Sequence, residues 1–257
     1  MLIPAVFGQL PELSEEQLQW LGVRVFENEC NQRFECLTSW NSGEDFPSLG
    51  IGHFIWYQQG QTEAFEETFP SLLEYYQASD SEIPEWIKQL PTPDSPWQSR
   101  DQFFSEQSSP SMQELRQFLA ESVELQIAFI VERLHRSIPE ILENLPPSQR
   151  QASMQNFYQV ANSAPPYGLY ALIDYVHFKG TGIAQGERYL GEGWGLLQVL
   201  QQMPKQASYG EHEILQSFVD SAAAVLQRRV ANAPTERREQ RWLKGWENRL
   251  TTYLPAN

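Results

Sequence analysis

Ser48-Leu49-Gly50-Ile51-Gly52-His53-Phe54-Ile55-Trp56-Tyr57 breaks a sequence whose pattern is otherwise helical. Its β-branched and aromatic residues predict a strand over 49–57, and Leu37-Thr38-Ser39-Trp40 reads the same way. Between them, Asn41-Ser42-Gly43-Glu44-Asp45-Phe46-Pro47 is turn material. These segments predict a small β-hairpin region.

Working outward, Ser14 and Gln17 form a capping box, followed by Leu18, Leu21 and Val25 at helical spacing, so a helix is predicted over 14–29. After the hairpin a short helix is predicted at 68–78. Residues 91–111 carry Pro91, Pro93, Pro96 and Pro110 among Ser and Gln, and read as a loop. Ser111 with Glu114 is a second capping box, opening a long helix to His135. Pro139 and Pro146-Pro147 punctuate the next stretch of chain. Helices are predicted at 139–145, 148–162 and 167–178, the last ended by Gly180. Gly182–Gly195 reads as a loop, Gly195 opens a helix, and helices over 210–230 and 235–253 complete the pattern. No repeat is visible.

The sequence has 257 residues, long enough to bury a sizeable core without staples. The class it implies is α+β and mostly α, as one domain over 1–257. Lys and Arg number 18 against 33 Asp and Glu, a net charge of -15 that argues against nucleic acid or an anionic membrane surface as partner. No apolar run is long enough to span a membrane. Residues 1–8 lack a basic signal-peptide region, although removal of a signal would leave the same start, so compartment stays open. Cys30 and Cys36 are expected as two half-buried thiols, with a small local disulfide as the alternative. A zinc site there would need further ligands nearby, so neither metal nor cofactor is expected.

Helix phase separates two acids. At about 100° per residue, Leu18, Leu21, Gly22 and Val25 share a face with Glu29 near its middle, and Glu27 lies opposite. Glu29 is therefore expected to turn inward at the helix's last turn. Burial and the negative end of the helix dipole would raise its pKa, as a general acid requires. The competing reading pairs it with Arg33 or Lys179.

With these residues in view, Ser48-Leu49-Gly50-Ile51-Gly52-His53 resembles the Thr-Ile-Gly-Ile-Gly-His segment of phage-type lysozymes, which follows a helix ending in the catalytic Glu. Ala171-Leu172-Ile173-Asp174-Tyr175-Val176-His177-Phe178-Lys179-Gly180 is similar to that family's central buried helix. Pro234, Arg238, Arg241 and Trp242 resemble its C-terminal helix. The likeness covers about 20–57 and 167–250. It implies a lysozyme-like fold with 14–57 as catalytic helix and hairpin, 60–165 as an added helical insert and 166–254 as helical core.

There are departures. Glu29 is followed by Cys30-Asn31 rather than Gly, closer to goose-type lysozymes and lytic transglycosylases. The family's Asp has no single counterpart, leaving Glu44 and Asp45 as candidates. Ser48 stands at the Thr position.

The resemblance implies a glycan-cleaving enzyme acting on peptidoglycan or another amino-sugar polymer. Glu29 would be the acid, Glu44 or Asp45 the water-steering carboxylate, and Ser48 the holder of that water. His53 would support the hairpin beside the acid. Tyr57, with Trp40, Trp56 and Trp194, would offer stacking faces, although core packing is an equal reading. Asp174 or Tyr175 would bind a sugar substituent, or else cap the core. A wall-active enzyme would be periplasmic or secreted. The acidic charge suits a neutral or cationic glycan such as chitin or chitosan better than anionic peptidoglycan. It also suits the alternative, a catalytically inactive scaffold of the same fold that binds a glycan or a protein. Oligomeric state is not legible.

Overall fold

The computed structural model describes residues 8–30, 33–62, 65–204 and 210–255. Helix takes 62% of the chain and strand 4%, so helices carry the core and the sheets only shape local sites. The chain divides into two compact units, Leu18–Ile130 and Met1–Gln17 with Val131–Asn257. The expected 60–165 insert is shared between them.

The first helix, α1 (Glu15–Cys30), starts where the cap predicts: the Gln17 N–H donates to Ser14 Oγ at 3.3 Å, and the Ser14 N–H to Gln17 Oε1 at 3.0 Å. Leu21, Gly22 and Val25 are buried. A 3-10 turn, Phe34–Leu37, leads into three antiparallel strands in the order β1 (Thr38–Ser39), β2 (Ser48–Leu49) and β3 (Phe54–Ile55). Thr38 pairs with Leu49, and Leu49 with Phe54. The expected strand over 49–57 is thus two short strands with Gly50–His53 as the turn between them.

Helix α2 (Phe69–Ala78) comes next, then the single turn α3 (Glu85–Lys88). The expected loop 91–111 contains α4 (Arg100–Ser105), capped by the Ser99 hydroxyl, which accepts from the Gln102 N–H at 3.2 Å. The next helix, α5 (Pro110–Glu121), is capped by Ser109 with Pro110 in its first turn, not by Ser111.

The expected single helix to His135 breaks at Ser122. Its hydroxyl lies 2.7 Å from both the Phe118 carbonyl and the buried Tyr76 hydroxyl, tying the break to α2. The chain resumes as α6 (Val123–Glu143), which contains Pro139. Proline forfeits one helical hydrogen bond. Here it is exposed while Ile138, Ile141 and Leu142 on the buried face hold the helix together.

In the second unit α7 (Pro147–Ala161) packs on α8 (Tyr167–Lys179), and Gly168 lets them touch: a Cβ there would strike the Val160 carbonyl. Gly180, at φ 86°, ends α8 as expected. The expected loop 182–195 holds a hairpin of β4 (Arg188–Tyr189) and β5 (Glu192–Gly193). Its turn residues Leu190 and Gly191 both have positive φ, 52° and 83°, the requirement of a two-residue turn that follows strand twist. Helices α9 (Leu196–Gln202), α10 (Glu211–Asn232) and α11 (Gln240–Thr251) complete this unit, with α10 against α9 and α11.

One buried ion pair anchors α11. Asp174 is 2% exposed, and Arg249 grips both its oxygens at 2.8 and 2.7 Å. The Tyr253 hydroxyl donates to Oδ2 at 2.6 Å. Nearby Lys179 is 8% exposed, with Nζ 3.4 Å from the Trp246 ring centre and 3.9 Å from that of Phe178. Burial first, then the Arg229 and Arg249 charges against the opposing Glu239, pull its pKa down to about 7.

Both buried charges can be tested. Asp174→Ala strands Arg249 and is expected to lower unfolding free energy by about 3–5 kcal/mol in urea titration; a loss under about 1 kcal/mol would refute the clamp. Above pH 7 folded Lys179 has released a proton that the unfolded chain still holds, so stability gains as pH rises toward the ordinary lysine value. Stability measured between about pH 7.5 and 9.5 is expected to rise in the parent relative to Lys179→Met; parallel curves would count against it.

Candidate functional site

Helix α1 ends where the candidate site begins. Glu27 is exposed (51%) and pairs with Arg24 at 3.6 Å. Glu29 is 21% exposed, and its Oε2 lies 3.9 Å from His53 Nδ1. Glu29, expected at the middle of the buried face, is half-buried, less sheltered than Leu21 and Val25.

Cys30 is buried and Cys36 half-buried, and they form a disulfide with Cα atoms 5.5 Å apart, correcting the expectation of free thiols. The helix end and the 3-10 turn bring the two sulfurs together. The bond closes a short loop, worth about 2.4 kcal/mol in the chain-entropy account. His53 Nε2 lies 3.9 Å from Cys30 Sγ and 3.7 Å from Cys36 Sγ. The imidazole is therefore set between the disulfide and the Glu29 carboxylate. Among the described residues, Cys30, Cys36 and His53 are the only group of three His, Cys or acidic residues whose possible ligand atoms all lie within 4.8 Å of one another.

The β2–β3 turn fixes that imidazole. Gly50 has φ 69°, and a Cβ there would strike the Gln126 side chain. His53 itself has φ 46°, a left-handed conformation that residues other than glycine seldom adopt. The turn is held from α6 by fully buried Gln126: its Oε1 accepts from the Ile51 N–H at 2.9 Å, and its Nε2 donates to the Leu119 carbonyl at 2.7 Å. Sequence reading missed Gln126, because a lone Gln in a helical pattern carries no local signal.

The other candidates divide. Ser48 lies on β2, 4% exposed, and its carbonyl accepts from the Ser39 hydroxyl at 3.1 Å. Glu44 is half-buried in the β1–β2 turn, where its carbonyl accepts from the Trp40 indole at 2.7 Å. Its carboxylate Oε2 is buried without a hydrogen-bond partner among the described residues. Asp45 is exposed, and its carbonyl accepts from Gln61.

Tyr57 is buried, its hydroxyl donating to the Phe65 carbonyl at 2.7 Å and its ring edge-on to Phe46. Trp40, Trp56 and Trp194 are 3%, 0% and 5% exposed, so core packing takes the faces proposed for sugars. In the second unit Asp174 is the α11 anchor. Tyr175 is fully buried, donating to the Trp194 carbonyl at 2.9 Å, and burial drives its pKa far above the ordinary tyrosine value.

A polar groove of about 370 Å³ in the second unit is lined by Gln149, Ser153, Asn156, Gln198, Glu192 and Arg228, among others. Its one acid, Glu192, lies 3.5 Å from Arg228. It has no acid pair, and the carboxylate–imidazole arrangement at Glu29 carries the richer chemistry. Comparison with known protein families, curated proteins and solved structures finds no match to this chain.

Gln126→Leu would leave the Ile51 N–H and the Leu119 carbonyl buried and unpaired. The variant is expected to lose about 2–4 kcal/mol in urea denaturation, with faster amide exchange at Ile51; unchanged exchange at Ile51 would show that the turn holds without it.

Proposed function

We propose that this chain is a glycan-cleaving enzyme, a lysozyme-like glycoside hydrolase acting on peptidoglycan or another amino-sugar polymer, with Glu29 as general acid. The carrying observation is the half-buried position of Glu29 at the end of α1, with its carboxylate 3.9 Å from His53 on the turn of the three-stranded sheet. In this reading the Glu29 carboxyl gives its proton to the leaving glycosidic oxygen, and positive charge develops on the sugar ring. Glu44 is the better second carboxylate: its Oε2 has no hydrogen-bond partner among the described residues, whereas Asp45 faces solvent. A water activated by Glu44 on the opposite face of the sugar would invert the anomeric centre, provided the two carboxyls stand roughly 6.5–9.5 Å apart. His53, within ion-pair distance of Glu29, would orient the acid.

The inactive-scaffold alternative has one observation in its favour: Tyr57, Asp174 and Tyr175, the side chains proposed to grip sugar, are engaged in internal packing. Turnover decides between the two. Purified chain is incubated with peptidoglycan, chitin and chitosan, and released reducing ends are measured. Glu29→Gln is expected to lose ~10²–10⁴-fold in rate while keeping its fold, and Glu27→Gln to stay within several-fold. The reverse ranking would overturn the assignment of the acid. No cleavage of any of the three glycans by the parent would favour the scaffold.

A further inference from the structure

The disulfide, His53 and Glu29 are arranged as a metal site that the S–S bond holds shut. A tetrahedral zinc ion has metal–sulfur bonds of about 2.3 Å and metal–nitrogen bonds of about 2.0–2.1 Å. Simple trigonometry then places the ligand nitrogen about 3.6 Å from each sulfur and the sulfurs about 3.8 Å apart. His53 Nε2 already stands 3.7 and 3.9 Å from the two sulfurs. Only the sulfur–sulfur spacing departs from this arrangement, because the two atoms are bonded. The other ring nitrogen of His53, Nδ1, faces Glu29 at 3.9 Å. That is the order carboxylate, imidazole, metal, with the acid at ion-pair distance, where its charge favours the ligand. The left-handed backbone at His53 and the Gln126 anchor set the ring position independently of the cysteines. Cys36 and His53 are half-buried, which leaves an ion a way in.

We propose that Cys30, Cys36 and His53 form a redox-gated site for a thiophilic divalent cation such as Zn²⁺, shut in the disulfide form and opened by reduction. A dithiol donor reduces the protein disulfide. The Cys30–Cys36 bond breaks, each sulfur gains one electron and one proton, and the donor becomes a disulfide. On binding, the cation displaces both thiol protons to solvent. Two metal–sulfur bonds and one bond to Nε2 of neutral His53 form, and water completes the tetrahedron. The two thiolates neutralise the ion's charge, and Glu29 stays at ion-pair distance from Nδ1.

This proposal does not depend on glycan cleavage, and its readout is optical. The full chain is reduced with dithiothreitol, desalted without oxygen and titrated with Co²⁺, then with Zn²⁺ against a chromophoric chelator. Circular dichroism checks the fold at each stage. The expected result is one Co²⁺ per chain with a thiolate-to-cobalt charge-transfer absorption, displaced by Zn²⁺, and affinity roughly 100-fold or more above that of the oxidised chain. Cys36→Ser and His53→Ala should lose the absorption. Glu29→Gln should keep it and bind about 10-fold more weakly. Equal binding by oxidised and reduced chains, an unchanged signal in a folded Cys30→Ser, Cys36→Ser double variant, or a reduced chain that unfolds and is not restored by the metal would each overturn the proposal.

Discussion

The buried side chain of Gln126 decides where the candidate site lies. It is fully buried, so each polar group must find a partner or impose a desolvation penalty. Its amide meets that demand by joining the Leu119 carbonyl at the end of α5 to the Ile51 N–H in the β2–β3 turn. The turn can come this close only because Gly50 presents no Cβ to the amide. The same turn carries His53 at its positive φ. The break at Ser122 belongs to the same constraint. It sets Gln126 at the start of α6, and the Ser122 hydroxyl ties that point to Tyr76.

The second unit solves a similar problem with charge. A buried aspartate in the middle of α8 would be prohibitive unpaired. Arg249 and Tyr253 satisfy it with three hydrogen bonds, and in doing so fix the C-terminal helix against α8. Lys179 is held differently. Aromatic faces and Glu239 partly replace its water, while neighbouring arginines oppose its charge, so its proton is held less tightly than on an exposed lysine. Asp174 and Tyr175, read from sequence as sugar-binding or core-capping residues, are engaged within the second unit's core.

At the candidate site one imidazole is shared between two chemistries. Nδ1 faces an acid at the end of a helix, and Nε2 faces two sulfurs joined across a short loop. The proposed acid catalysis would use the first face, and the proposed metal the second. The same ring stands within 4 Å of both the Glu29 carboxylate and the two sulfurs.

Much of this was legible in local pattern. The Ser14 cap, the helix phase that leaves Glu29 less exposed than Glu27, the end of α8 at Gly180 and the switch to strand near Thr38 all depend on neighbours within a few residues. Periodicity and capping report such neighbours directly. Local pattern misled where the outcome depends on packing or backbone geometry that residue type does not report. Pro139 reads as a helix breaker, yet buried isoleucines and Leu142 carry α6 through it. The Leu190-Gly191 turn has leucine where such turns favour Asn, Asp or Gly, and is seen only in its backbone angles. The Cys30–Cys36 bond depends on how the helix end meets the 3-10 turn. The partners of Asp174 stand 75 and 79 residues away. The sequence by itself determined the helical class, the caps and the phase of the acid, because these arise from contacts along one turn of chain. Tertiary structure alone decided which polar groups are buried together, because desolvation is a property of everything packed around a group.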